Sequence, residues 1–183
     1  MSVRILSGAL LELGEDRITS ADQDTERARV VSEVYEDERD SLLEEHPWNF
    51  AIFRAGLARL ELVPAFGFAH GFRLPADCLY VISVEPETPY KIEGGNLLAD
   101  LEALSIRYVR RVDDATQMPP TFRVALATRI AARVCKKITG SSAEKERLET
   151  LYRDRLRTAK GRDAQGGGTP DAARPDLFVN ARR

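Results

Sequence analysis

The spacing of apolar residues changes twice along this chain, and the change limits the folds open to it. Near both ends, apolar side chains recur every three to four residues, which is the period of an amphipathic helix. Between 50 and 112 the pattern shifts to alternation, with aromatic and branched residues separated by glycine and proline, which is typical of strands and turns. We therefore expect an α+β fold: a bundle of about four helices with a small antiparallel β-rich insertion between the second helix and the third.

Two helices are predicted before the strands. The first covers residues 2–14: the Ser2 hydroxyl can accept from free amides of the first turn, and Gly14 can take the left-handed conformation that ends a helix. The second covers 25–45 and ends before Pro47, because proline disfavours helical geometry in the residue before it. Its solvent-facing side is expected to consist of Glu33, Glu36, Asp37, Glu38, Arg39 and Asp40.

The β-rich segment begins with a half-buried strand pattern, in which Phe53, Ala55 and Leu57 alternate with polar or small residues. Residues 90–98 predict a hairpin, since Gly94-Gly95 can supply the positive φ angles of a tight turn.

Two further helices are predicted, at 119–139 and 142–162, separated by Gly140. Residues 1–165 are assigned to one body and 166–183, which opens with three glycines, to a flexible, extended C-terminal arm. Three apolar residues in this arm, Leu177, Phe178 and Val179, indicate a docking peptide; an idle tail is the alternative.

Charge is divided unevenly along the chain. Residues 1–103 hold 20 Asp and Glu against 9 Lys and Arg, while residues 104–183 hold 9 against 18, and the net charge is -2. Such asymmetry indicates either a nucleic-acid surface or complementary faces in an assembly, and the alternative is chance plus solvated helix faces. We expect no signal peptide and no membrane span, because the apolar runs are too short.

Residue types that carry chemistry are sparse. The two cysteines, Cys78 and Cys135, and the two histidines, His46 and His70, have no ligand spacing, and neither histidine has a nucleophile in a recognised motif. We expect buried cysteines, and a His46 side chain that caps carbonyls at a helix end. The glycine clusters match neither a P-loop nor a dinucleotide fingerprint. The sequence therefore predicts a protein that is not an enzyme and takes no metal and no cofactor.

Several short motifs stand in a fixed order along the chain. They are ILSGALLELG at 5–14, HPWNFA at 46–51, FRLPADCL at 72–79, YKIEG at 90–94, IRY at 106–108, FRVALA at 122–127 and TG at 139–140. In this order and spacing, over more than half its length, the chain resembles the tail tubular protein A family. These proteins are the head-to-tail adaptors, or gatekeepers, of short-tailed bacteriophages.

The resemblance implies a structural virion protein, assembled in the host cytoplasm and located in the tail. Members form a homo-oligomeric ring of about twelve copies between the portal protein and the tail nozzle protein. DNA passes through the ring without specific binding, and a C-terminal arm docks onto the portal. Leu177, Phe178 and Val179 are the candidate portal-docking residues. We expect the isolated chain to be able to stay monomeric until it meets the portal.

Two surfaces are candidates for contact between ring subunits or with the DNA channel. One is basic and contains Arg107, Arg110, Arg111, Lys136 and Lys137. The other is the run of small residues between Ala125 and Ala132. The acidic first half and basic second half could supply the unlike faces that a cyclic ring requires.

Two other functions remain open from the residues. A cell-wall or polysaccharide hydrolase associated with the tail would need two carboxylates held at a set separation in a cleft, and a sugar-release assay discriminates it. A DNA-binding protein would show steep salt-dependent affinity for DNA.

Overall fold

The computed structural model of the protein describes residues 2–20, 23, 25–62 and 64–166. Its helices are α1 (Val3–Glu12), α2 (Glu26–Glu33), α3 (Tyr35–Glu44), α4 (Pro120–Thr139) and α5 (Ser142–Gly166). Because α2 and α3 adjoin at Val34, they correspond to one interrupted helix, and the described part of the chain has four helices in that sense. Together with two antiparallel sheets, these helices confirm the α+β class.

The strands divide into two sheets rather than one. They are β1 (Ile52–Gly56), β2 (Ala58–Arg59), β3 (His70–Arg73), β4 (Cys78–Glu85), β5 (Tyr90–Glu93), β6 (Asn96–Ala99) and β7 (Ser105–Arg110). The first sheet has the order β1-β7-β4 and the second has the order β2-β3-β6-β5, with every neighbouring pair antiparallel. A short 3-10 helix, Asn49–Ala51, leads from the helical part into β1.

The two ends of α1 differ in how well the sequence predicted them. Gly14 has φ 74°, the Glu15 amide donates to the Leu10 carbonyl over 3.0 Å, and the helix ends there as predicted. The prediction that the Ser2 hydroxyl caps α1 was wrong, because this hydroxyl accepts no hydrogen bond from the first turn. The Ile5 amide, which that hydroxyl would have met, instead donates to the backbone carbonyl of Ser2 over 3.1 Å.

The predicted helix 25–45 is interrupted, and its solvent-facing side was partly misassigned. Thr25 begins α2 by accepting from the Ala28 amide over 3.2 Å, but Val34 (φ −92°, ψ −7°) leaves ideal helical geometry and separates α2 from α3. Arg39 is only 2% exposed, although it was assigned to solvent. Its guanidinium donates to Asp113 over 2.6 Å and to Asp40 over 2.8 Å, and this pairing allows a charge to be buried.

Helix α4 is the centre of the helical core and packs against α1, α2, α3 and α5. Ala125, Ala131 and their neighbours up to Ala132 are buried within the protomer, so the proposal that this run faces another subunit was wrong. Small side chains let α1 approach closely: a β-carbon added at Gly8 would lie 3.4 Å from that of Ala127.

The first sheet lies between the helical core and the second sheet. Val109 of β7 belongs to the helical core, whereas Ile106 and Tyr108 of the same strand belong to a second core shared with the second sheet. This second core, the sheet core, also contains Phe72, Val84, Leu97, Ala99 and Leu104. Strand β7 therefore connects both cores, with successive side chains pointing to opposite faces.

The burial pattern of β1 departs from the prediction. Phe53 is 37% exposed although it was expected to face inward. Strand β1 is an edge strand, and the Phe53 ring is covered by the Arg110 guanidinium at 3.7 Å rather than by apolar side chains. The hairpin prediction is confirmed, since β5 pairs with β6 and Gly94 and Gly95 have φ angles of 56° and 77°.

Gly140 ends α4 with φ 71°, as predicted, and the Ser141 hydroxyl then accepts from the Glu144 amide over 3.2 Å. Helix α5 continues to Gly166, four residues beyond its predicted end at 162 and one residue into the segment assigned to the arm. The rest of that segment, including Leu177, Phe178 and Val179, lies outside the described residues. Across the described ranges, none of the helices has the length and apolarity that crossing a bilayer requires.

Candidate functional site

The HPWN motif joins the end of α5 to the connection between α3 and β1. The Asp163 carboxylate accepts from the Asn49 amide over 3.0 Å and lies 3.2 Å from His46 Nε2. The Asn49 side chain donates back to the Asp163 carbonyl over 2.6 Å. His46 thus pairs with a carboxylate and does not cap the carbonyls of its own helix, so that prediction was wrong. Asp163 could not be found from the sequence, because 117 positions separate it from His46.

Trp48 fills the helical core beside this joint. It is 1% exposed, its indole donates to the Leu42 carbonyl over 2.8 Å, and its ring meets that of Phe122 edge-on at 5.0 Å. Phe50 completes an aromatic group by approaching Phe122 at 4.9 Å. Trp48 therefore specifies packing, whereas Phe50 is half-buried and lines a hollow of about 230 Å³ with Asn49 and Asp163.

Arg129 of α4 is the centre of a dense polar cluster. Its guanidinium donates to Glu38 over 2.5 Å, to the Ser41 hydroxyl over 2.7 Å, to the Tyr152 hydroxyl over 2.8 Å and also to Glu45. These contacts fix α3 and α5 to α4. Glu38 and Glu45, which the acidic pattern assigned to a solvated face, are therefore used inside the protomer. The sequence signal for this cluster was an arginine between the apolar residues Ala127, Ile130 and Ala131 of α4.

The net effect of burial and charge pairing in this cluster is to raise the pKa values of Arg129 and Tyr152. Burial lowers the pKa of Arg129, but its hydrogen bonds to Glu38 and Glu45 and the nearby charges of Tyr152 and Glu45 together outweigh burial and raise the pKa. Burial raises the pKa of Tyr152 to about 12, and Arg129 only partly offsets that effect. Both side chains keep their protonated forms at neutral pH, so the cluster supplies fixed charge rather than proton transfer.

The five basic residues predicted as interface or channel residues are not gathered in one place. Arg110 covers Phe53 and donates to Gln117 over 2.9 Å, and Arg111 donates to Asp40 over 2.8 Å. Lys136 and Lys137 are exposed in the last turn of α4, and Lys137 lies 3.6 Å from Glu26. Arg107 is exposed on the first sheet. Their role in assembly stays a prediction.

Part of the charge difference between the two halves is neutralised within the protomer. Glu12 pairs with Arg155 at 2.5 Å, Asp40 with Arg111 at 2.8 Å and Glu38 with Arg133 at 3.5 Å. Each pair joins an acidic residue of the first half to a basic residue of the second half. These bases and acids therefore hold the subunit together, and they leave less charge for contacts between subunits than the sequence suggested.

A groove of about 520 Å³ runs between α1 and α4. Leu11 and Val124 are 47% and 46% exposed at this groove, and Arg4, Arg17 and Arg123 also line it. The arrangement, with apolar walls and a basic margin, is suited to an apolar segment of another chain that carries acidic residues. Sequence periodicity missed this groove, because Leu11 and Val124 read as ordinary members of their helices.

The second sheet carries exposed apolar side chains of its own. Phe66 and Leu62, in the segment between β2 and β3, are 89% and 84% exposed. Tyr90 and Ile92 of β5 are 39% and 44% exposed on an edge strand. An edge strand has unpaired backbone groups, so this part of the sheet is open to pairing with another chain.

The remaining residue types with potential chemistry are dispersed. His70 begins β3, and its Nε2 lies 3.2 Å from Glu102. Cys135 is buried, whereas Cys78 is only half-buried, contrary to expectation, and burial raises the pKa of its thiol. Within the part of the chain that the structure describes, no three His, Cys, Asp or Glu side chains are grouped to hold a metal ion.

Comparison with known proteins identifies no family for this chain. The chain matches no protein-family model. A search of curated proteins found no match to it.

Proposed function

We propose that the protein is a head-to-tail adaptor of a short-tailed bacteriophage, a structural ring subunit between portal and tail nozzle that leaves a channel for DNA. In this proposal the helices form the ring body, the two sheets form a module inserted between the second and third helices, and 167–183 form the portal-docking arm. The observation that carries it is the presence of two unlike exposed apolar surfaces on one subunit. The first is the groove between α1 and α4, and the second is the set of exposed apolar side chains carried by the second sheet and by the segment between β2 and β3.

A closed ring explains why two unlike surfaces would be needed. Each subunit in a cyclic ring uses one surface toward the neighbour on one side and a different surface toward the neighbour on the other. Leu11 and Val124 belong to the first surface, and Phe66 and Ile92 to the second. Where exposed apolar side chains join into a contiguous patch, the patch marks a contact site.

The aromatic residues of the motifs support the family assignment in physical terms. Trp48 and Phe122 lie in the helical core, and Phe72 lies in the sheet core. Motifs whose members fix packing in both cores are tied to a fold, and the resemblance to the adaptors rests on the order of these motifs.

The test is assembly with the portal protein of the same virus. The full chain is mixed with purified portal rings, and the complex is measured by analytical ultracentrifugation and imaged by electron microscopy. We expect a ring of adaptor subunits on one end of the portal. A variant that ends at Gly166 keeps α5 whole and is expected to bind at least about tenfold more weakly, since the arm supplies the apolar anchor.

A full-length variant with Leu177, Phe178 and Val179 replaced by alanine is the matched control for chain length. Its binding should fall as far as that of the truncated chain. Equal portal binding by all three proteins would contradict the role of the arm. Absence of any complex between the full chain and the portal would contradict the adaptor function itself.

A further inference from the structure

We propose that the outer part of the first sheet holds an anion site that takes a phosphate group. A hollow of about 530 Å³ lies on this sheet. The lining residues on which the proposal rests are Arg54, Gly56, Ser83, Glu85, Ser105 and Arg107. The proposal is independent of the adaptor function, because it uses no contact with a portal.

The two arginines occupy opposed positions on neighbouring strands. Arg54 of β1 is the direct register partner of Arg107 of β7, and both are exposed. Side chains directly opposite each other in an antiparallel pair have β-carbons about 5 Å apart, and like charges there destabilise the sheet. Among the residues that the structure describes, no carboxylate lies within ion-pair distance of either guanidinium. The free energy of this repulsion would be relieved by a bound anion.

The neighbouring positions add neutral donors and leave space. Ser83 of β4 is the register partner of Arg107, and Ser105 lies two residues along β7, on the same face. Gly56 is opposite Ser105 and contributes no side chain, so the hollow stays open between the strands. Further along this face, Val109 is fully buried under the helices, so the helical body covers the sheet only up to that point.

The set of donors favours phosphate over carboxylate. A single guanidinium can already satisfy both oxygens of a planar carboxylate through two parallel hydrogen bonds. Two guanidiniums and two hydroxyls suit a tetrahedral group that presents three or four oxygens. Glu85 of β4, opposite Ser105, contributes one negative charge at the margin, so a net positive charge remains at the site.

The experiment measures binding of inorganic phosphate to the full chain by NMR, following the arginine Nε–Hε signals at constant ionic strength. Constant ionic strength is needed because salt alone screens exposed charges. We expect saturable shifts at Arg54 and Arg107. Arg54→Gln and Arg107→Gln should each weaken binding on the order of tenfold, since each removes charge-assisted hydrogen bonds.

Two further variants make the result specific. Arg73→Gln removes an exposed strand arginine of the second sheet and should leave phosphate binding unchanged. Glu85→Gln should tighten binding, because it removes a negative charge next to the anion. A general loss of structure could not produce that gain. Shifts that fail to saturate, or an equal loss of binding in Arg73→Gln, would overturn the proposal.

The source of the phosphate is distinguished by a second arm of the experiment, in which a short DNA duplex replaces inorganic phosphate. Loss of duplex affinity in Arg54→Gln and Arg107→Gln, but not in Arg73→Gln, assigns the site to a phosphodiester of a nucleic-acid backbone. Duplex affinity that is equal in all variants, with phosphate binding lost as expected, assigns it to free phosphate. Saturable binding of acetate but not of phosphate would contradict the phosphate assignment.

Discussion

At the scale of single residues, Arg129 illustrates how one partly buried charge can organise several helices. Its side chain is 18% exposed and its partners Glu38 and Glu45 are 15% and 34% exposed. A charge in such a site contributes stability only while its partners are present, because each group alone has lost part of its hydration. The cluster is therefore expected to be sensitive to the loss of the one residue that all the other members contact.

Arg129→Met is expected to lower the free energy of unfolding by about 2–4 kcal/mol, because it leaves Glu38 and Glu45 without their counter-charge. The measurement is urea denaturation followed by circular dichroism. Arg157→Met is the matched control, since Arg157 and Asp154 form an exposed pair and its loss should cost less than about 0.5 kcal/mol. Equal effects of the two substitutions would show that Arg129 does not hold the helices together.

At the scale of secondary-structure elements, the same substitution of glycine by alanine can be compared at two positions, Gly140 and Gly161. Gly140 has φ 71° at the end of α4, a conformation that an L side chain adopts only with strain. Gly161 lies within α5, and a β-carbon added there would meet no atom within 4 Å. The two positions differ in backbone conformation, while both have free space for a methyl group.

Gly140→Ala is expected to destabilise the protein by about 1 kcal/mol, and Gly161→Ala to stabilise it by up to about 1 kcal/mol. The reason is that alanine strains a left-handed residue but improves a helix interior. Thermal unfolding of both variants beside the parent protein gives the two signs directly. A shift of the same sign in both variants would mean that Gly140 does not define the end of α4.

The sequence could predict the structural features that depend on residues close together in the chain. The Gly14 and Gly140 helix ends, the 90–98 hairpin and the position of α4 follow from residues close together in the chain, and all four are confirmed. The break at Val34 has no comparable signal, since valine is compatible with a helix. The division of the strands into two sheets depends on long-range pairing, such as β3 with β6, which alternation alone does not specify.

The candidate site was predicted less well, for a related reason. The sequence gives the basic residues but not their partners, which lie far away in the chain: Asp40, the partner of Arg111, is 71 positions distant. Whether an exposed arginine is neutralised within the subunit or left free is decided by tertiary contacts. Arg107 and Arg111 belong to one predicted set, yet only Arg111 has a carboxylate partner among the described residues.

At the scale of the whole molecule, the two cores make the fold a body with an attached module. The helical core includes Trp48 and Phe122, and the sheet core includes Phe72. Both cores meet on the first sheet, where β7 contributes Val109 to one and Ile106 to the other. A module attached through a single sheet can unfold locally while the helical body stays folded, because local unfolding of the module exposes mainly the sheet core.

Phe72→Ala is therefore expected to raise hydrogen exchange in β3, β5 and β6 while the amides of α4 keep their protection. Phe72 and Phe122 are both fully buried, and each substitution should remove about 3–5 kcal/mol of packing free energy from its own core. Phe122→Ala is the matched control and should raise exchange in the helices instead. Mass spectrometry of deuterium uptake resolves the two patterns. Equal loss of protection throughout the described chain in Phe72→Ala would show that body and module unfold as one unit.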